Sequence, residues 1–425
     1  MKTTFFILLA FFVNSISFSQ SGWFAINEAT PNITLDGIQF TSINTGYAVG
    51  YNFSGKISMI TKTTNAGLNW QKTFINNAAL YEMSFANDLT GYVGGKGYYG
   101  YDYIFKTTNG GINWIIIDSL QGGSSFDNRV RMRFCDANTG LVFSDLYYHL
   151  YKTTNGGNNW ISTDANFTSP NQIYNIDANN WVFCLEGSLD VSTNGGVNWI
   201  IGSNTGFFAV SFINNQTGFG TSHDNSPGQL FKTINGGISW TQIFPAQTPL
   251  QRFYHINFRN ENTGYRSGQV DTNNGVIYKT TNGGYNWSMQ YSNRYTYLND
   301  MYFIDNNTGY CAGSGGLIFK TTTGGEVFVS NISSEVPDKF ELGQNYPNPF
   351  NQSTIFNLQC SMKGNVSVKV FDAAGREVQT LVNETLAPGT YQVRFDGSGL
   401  ASGLYYYQLA INKEQLAVKK MVMVK

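Results

Sequence analysis

The chain has 425 residues with 26 Lys+Arg against 27 Asp+Glu, and only 12% of it is charged, about half the usual globular share. That balance lacks the basic face a nucleic-acid binder needs, so no nucleic-acid partner is expected. Aromatics at 16%, hydrophobics at 41% and 46 glycines against 9 prolines exclude disorder and favour strands and turns over helices.

Residues 1–19 read as a signal peptide: Lys2 is the positive head, Phe5 to Val13 an apolar run, and Ser17-Phe18-Ser19 the small residues before a mature start near Gln20. The apolar run falls short of the roughly 20 residues that cross a bilayer. No later stretch is apolar enough, so no transmembrane span is expected.

A repeat fills residues 20–332. KTTNAGLNW ends at Trp70, KTTNGGINW at Trp114, KTTNGGNNW at Trp160, VSTNGGVNW at Trp199, KTINGGISW at Trp240 and KTTNGGYNW at Trp287, with a degraded copy ending at Phe328. The copies end 39 to 47 residues apart, which suits four short strands per unit and predicts an all-β, seven-bladed β-propeller. Each unit reads as strand A ending at a Phe (Phe40, Phe85, Phe134, Phe212, Phe258, Phe303), a Thr-Gly turn into strand B, strand C into KTT, and strand D from the Trp. In the fourth unit Ala178 to Trp181 stand in for the Thr-Gly turn, and Trp23 matches the start of a D strand, so the N-terminal segment should close the ring.

The Thr-to-Trp octet resembles the Asp-box, or BNR repeat, of sialidases, sortilin-like receptors, xyloglucan-degrading glycosidases and photosystem II stability/assembly factor-like propellers. Its copies here carry Asn (Asn65, Asn109, Asn155, Asn194, Asn235, Asn282) where the motif name expects Asp. The physics is local. Asn turns its side chain onto nearby backbone N–H groups, glycine takes positive φ, and Trp packs over the hairpin. The resemblance implies a structural turn and no chemistry.

Cys135, Cys184, Cys311 and Cys360 are widely spaced, with no histidine at ligand spacing, so buried free thiols are expected, and neither a metal site nor a cofactor. After a linker over 333–345, residues 346–425 carry Tyr346-Pro347-Asn348-Pro349-Phe350-Asn351, VKVFDAAGREVQTL and a terminal KKMVMVK. Alternation in VSVKVFD and TYQVRFD predicts a small Ig-like β-sandwich. This segment closely resembles the type A C-terminal sorting domain of the type IX secretion system. The resemblance implies export through the periplasm to the outer-membrane surface or the medium, with the secretion machinery as a partner.

In such a propeller the A–B and C–D turns share one rim, and variable loops occupy the other, where binding specificity resides. Tyr99, Tyr101, Tyr148, Tyr254 and Tyr297 fall on that second rim and suit stacking on sugars or gripping a peptide. Alternation along strand A places Gln39, Ser84, Arg133, Ser211, Asn257 and Tyr302 in the channel, one residue before the terminal aromatic. Glu82, Arg131, His255 and Asp300, three before it, share a second level. Arg131, Arg133 and His255 are the channel's binding candidates. Glu82 and Asp300 offer a carboxylate pair for glycoside hydrolysis. The sequence therefore predicts an exported, non-catalytic binding or scaffold module for polysaccharide or protein; the alternative is a surface glycoside hydrolase using the channel carboxylates.

Overall fold

The computed structural model describes residues 22–27, 30, 32–52, 57–97, 101–121, 130–144, 149–163, 167, 170–222, 228–245, 251–270, 274–294, 296–325, 329–351, 353–397, 400–412 and 414–424. The expected signal peptide, Tyr99, Tyr148 and Phe328 lie outside the described residues. The chain divides into two compact units, one of them Gly22–Gly325 and the other holding Glu326–Lys425.

The first unit contains seven four-stranded antiparallel sheets. Blade 1 is Ile33–Phe40, Gly46–Asn52, Ile57–Thr63 and Gln71–Asn76, strands A to D in chain order, and blades 2 to 6 repeat this plan. Blade 7 takes its fourth strand from Gly22–Ala25, antiparallel to Ile318–Gly325. Trp23 is buried there against Phe303, edge-on at 5.7 Å. Asn27 fastens the closure by accepting from Ile318 N–H at 2.7 Å and donating to Gly316 at 2.6 Å.

The Phe and Thr-Gly signatures are one device. A Cβ on Gly91 would sit 2.3 Å from the ring of Phe85, and on Gly46, Gly140 and Gly309 each 2.5 Å from Phe40, Phe134 and Phe303. The glycine is bare because the ring lies on it. Each ring is also wedged between blades. Phe85 stacks on Tyr47 of blade 1 at 3.7 Å and meets Trp114 of its own blade edge-on at 6.0 Å. Blade 4 inverts the device: strand A ends at Asn175, paired with Trp181 in the glycine's place, and the fully buried indole occupies the space of the missing ring. The box tryptophans themselves (Trp70, Trp114, Trp160, Trp199, Trp240, Trp287) are half-buried, so they form a lid on the hairpin more than a core.

In the C–D turn, Asn65 Oδ1 accepts from Asn69 N–H at 2.9 Å and Thr63 Oγ1 from Gly67 N–H at 2.9 Å. Asn109, Asn155, Asn194, Asn235 and Asn282 make the same bond in their turns. The turn is more than local, contrary to expectation. The Lys that opens four of the boxes reaches the next blade's turn: Lys62 donates to Gly110 O at 2.6 Å, Lys106 to Gly156 O and Lys152 to Gly195 O, both at 2.7 Å, and Lys320 to Ala66 O at 2.8 Å. The B-strand tyrosine joins it, with Tyr47 donating to Gly110 O at 3.1 Å. The repeated Lys is therefore a blade-to-blade latch on a carbonyl that the tight turn leaves unpaired.

The second unit has two four-stranded sheets, Val329–Ser333, Gly389–Asp396, Ser353–Cys360 and Glu341–Leu342 in one, and Glu377–Leu386, Gly364–Asp372, Gly403–Ile411 and Glu414–Met423 in the other. They share one apolar core that includes Phe356, Val368, Val393 and Tyr407, a sandwich-like arrangement. Val329–Ser333 pairs with Gly389–Asp396, so residues 329–332, expected in the propeller, belong to this sheet. The Tyr346–Asn351 motif straps the terminal strand: Asn348 Oδ1 accepts from Val422 N–H at 2.9 Å and Phe350 N–H donates to Val422 O at 3.0 Å. All four cysteines are free thiols, and burial pushes those of Cys184 and Cys311 far above the ordinary value, which leaves them unreactive.

Candidate functional site

The A strands of all seven blades surround a central cavity of about 890 Å³. Glu186 and Ser314, from B–C turns, sit at its mouth, so it opens on the variable rim. Arg131, Arg133, His255, Glu82 and Asp300 all line it, and Tyr254 and Tyr297 join them. Tyr101 stands apart, exposed at the start of strand C in blade 2, outside the cavity lining.

Alternation alone misses a third ring of lining residues. In blades 1, 2, 4, 5, 6 and 7 the register of strand A slips by one residue, at Asp36, Tyr81, Asn171, Phe208, Tyr254 and Asn299. All six line the cavity. Each lies four residues before the end of strand A, where strict alternation points a side chain into the blade core; the bulge re-aims it. Tyr254, expected on a loop of the second rim, is a strand residue, as is Phe208. Their neighbours Phe207 and Phe253 are fully buried instead.

The innermost polar level is largely spent on joining blades. Gln39 brackets the backbone of Phe85, accepting from its N–H and donating to its carbonyl, both at 2.9 Å. Ser84 accepts from Phe134 N–H and Ser211 from Phe258 N–H, both at 2.9 Å, and Tyr174 from Phe212 N–H at 3.3 Å. One level up, Gln172 accepts from Val210 N–H at 2.9 Å. These side chains cap the inner edge of strand A, whose backbone would otherwise face the cavity unpaired.

The charged groups mostly pair. Arg131 contacts Glu82 at 3.4 Å and donates to Pro170 O at 3.3 Å. Asp300 accepts from Ile38 N–H and Met301 N–H, both at 2.8 Å, and lies 3.1 Å from His255 Nε2. Burial holds the His255 imidazole below its ordinary value; Asp300 pulls it up and the Arg133 charge pushes it further down. A neutral ring donating Nε2–H to Asp300 leaves Nδ1 as an acceptor, and that atom is buried without a partner, as is Asn257 Oδ1. Arg133 donates Nε–H to Asn175 Oδ1 at 2.8 Å. Among the described residues, no three His, Cys, Asp or Glu side chains gather as metal ligands, and no helix is long and apolar enough to cross a membrane.

No curated protein matches the chain. Among solved structures, YCF48 bound to D1 peptide is similar at 16% identity and a TM-score of 0.55, over 71% of this chain and 97% of that one. PorZ, an essential surface component of the type-IX secretion system of Porphyromonas gingivalis, is similar at 15% identity and a TM-score of 0.53, over 92% of this chain and 59% of PorZ. The GH74 xyloglucanase of Xanthomonas campestris is similar at 10% identity and a TM-score of 0.56, over 95% of this chain and 68% of the enzyme. At these identities the likeness is one of fold, a β-propeller. Residues 344–425 match the family described as the secretion system C-terminal sorting domain, so the chain is a β-propeller that ends in a type IX sorting domain and is addressed for export.

Proposed function

We propose that the protein is a non-catalytic binding module, carried to the cell surface or the medium, whose ligand seats in the wide mouth of the central cavity. The N-terminal leader takes the chain to the periplasm, and the sorting domain engages the type IX machinery. The pairing of the channel charges carries this reading. Hydrolysis of a glycosidic bond needs one carboxyl that holds a proton and a second that is free to attack or to activate water. Glu82 is engaged by Arg131, and Asp300 by His255 and two backbone N–H groups, so both carboxylates already serve as structural acceptors. Tyr254, Tyr297 and Phe208 at the mouth, with the amides of Asn171 and Asn299, are groups that stack and hydrogen-bond without chemistry. The test is a glycan array probed with the full chain, with reducing-end release assayed on every hit. Binding without release is expected; release that disappears in Glu82→Gln would replace this reading with a hydrolase.

A further inference from the structure

We infer that the ligand of this cavity is an acidic polysaccharide, with a uronate carboxylate held by Arg133. The inference rests on the binding reading above and specifies its ligand class.

Two arginines project from strand A of blade 3, and they differ in what they still have to offer. Arg131 is consumed by Glu82 and the Pro170 carbonyl. Arg133 makes one hydrogen bond, from Nε to Asn175 Oδ1, which fixes the plane of its guanidinium. Among the described residues it enters no ion pair, so its two terminal nitrogens keep a forked set of donors that matches a carboxylate. Its charge also bears on His255 and Tyr302, in blades 6 and 7, so it reaches across the channel.

Against that open cation stand two open acceptors. His255 and Asn257 line the same cavity, and His255 Nδ1 and Asn257 Oδ1 are buried without a partner. A buried acceptor without a donor costs free energy that a ligand hydroxyl would recover. The seat therefore requires a ligand that brings a carboxylate and O–H donors together. A neutral sugar would leave Arg133 unmatched, and a carboxylate alone would leave the acceptors unmatched. A uronic acid residue supplies both, and Tyr254 and Tyr297 nearer the mouth can stack on the next sugars of the chain.

An extended peptide suits the cavity less well. Strand addition needs a free sheet edge, and the inner edge of strand A is already capped by Gln39, Ser84, Gln172, Tyr174 and Ser211.

The decisive experiment is calorimetric titration of the full chain with hexamers of galacturonate and of mannuronate, with their full methyl esters, and with an acidic hexapeptide bearing a free C-terminus. A charge-assisted carboxylate contact predicts that one free acid binds about tenfold to a hundredfold tighter than its ester. Arg133→Gln should abolish that preference while its melting curve stays close to wild type. The acid-ester comparison needs no variant, so it holds even if Arg133→Gln folds poorly. Equal binding of acid and ester would overturn the uronate assignment and leave the binding module standing. Binding of the peptide alone would overturn it in favour of a protein ligand. Binding of none of the probes would also overturn it, and the glycan array then decides whether the cavity binds neutral sugars or none.

Discussion

Gly91 and Phe85 should be energetically inseparable. A methyl group on Gly91 would lie 2.3 Å from the Phe85 ring, and that ring cannot swing away because Tyr47 stacks on one side and Trp114 abuts its edge. Gly91→Ala should therefore destabilise by about 3 kcal/mol, at the upper end of overpacking costs. Phe85→Ala should cost about 4 kcal/mol, as a buried aromatic truncation does. In the double variant the methyl meets no ring, so the combined loss should stay near 4 kcal/mol instead of approaching 7, a coupling of about 3 kcal/mol. For cooperative unfolding of a unit the size of Gly22–Gly325, a loss of 4 kcal/mol lowers Tm by about 6 °C. Denaturant or thermal unfolding of the four proteins completes the cycle. Additive losses would mean that the ring does not rest on the glycine and that the link between the two signatures has another cause.

Three further outcomes are expected. Trp23→Ala, which removes the buried indole of the closing strand, should cost roughly 3 to 5 kcal/mol by denaturant unfolding, whereas Ile112→Ala, on an exposed turn, should stay within about 0.5 kcal/mol; equal effects would refute the assigned closure. Because burial depresses the His255 pKa, the unfolded state binds more protons below its ordinary value of 6.5, so the contribution of this group is complete above pH 6.5 and is lost as pH falls through the folded value. Melting followed from pH 7 to pH 5 should show a shallower decline in His255→Asn than in wild type, and parallel curves would contradict the burial of the ring. Removal of residues 326–425 should abolish export and leave melting of the remaining unit unchanged; undiminished surface display or secretion would remove the sorting role.

The blade count was legible because the box is long, nearly constant in its turn residues and recurs every 39 to 47 residues. Trp23 was legible for the same reason, as a lone D-strand start with no preceding strands of its own. The inversion in blade 4 was half visible: Trp181 stood out in place of glycine, but its compensation by Asn175 needs the register of Asn175 opposite Trp181. Alternation reached Gln39, Arg133, Asn257 and Tyr302 and, one level up, Glu82, Arg131, His255 and Asp300, all of which line the cavity, but Ser84 and Ser211 are buried outside the lining, and it failed at the fourth position, because a bulge leaves no composition signal in Asp36 or Asn299. A bulky residue recurring at that offset, as at Tyr81, Phe208 and Tyr254, was the available hint. Tyr101 lies at the start of strand C, on the B–C side, yet outside the cavity lining, because exposure on a rim does not fix direction toward the axis. The difference between Arg131 and Arg133 depends on which neighbour each guanidinium reaches, and sequence spacing carries no such information.

Ring closure also has a kinetic meaning. The contact that fastens the first strand to the last blade joins residues 291 apart in sequence, Asn27 and Ile318. Each of blades 1 to 6 can zip from neighbouring segments as it emerges, but blade 7 waits for the whole repeat, and such long-range pairing is slow. A chain exported from its N-terminal end would therefore hold an unsatisfied strand until the last box arrives. Swapping a middle blade should alter the strength of the fold; altering residues 22–27 should alter the time the fold takes to complete.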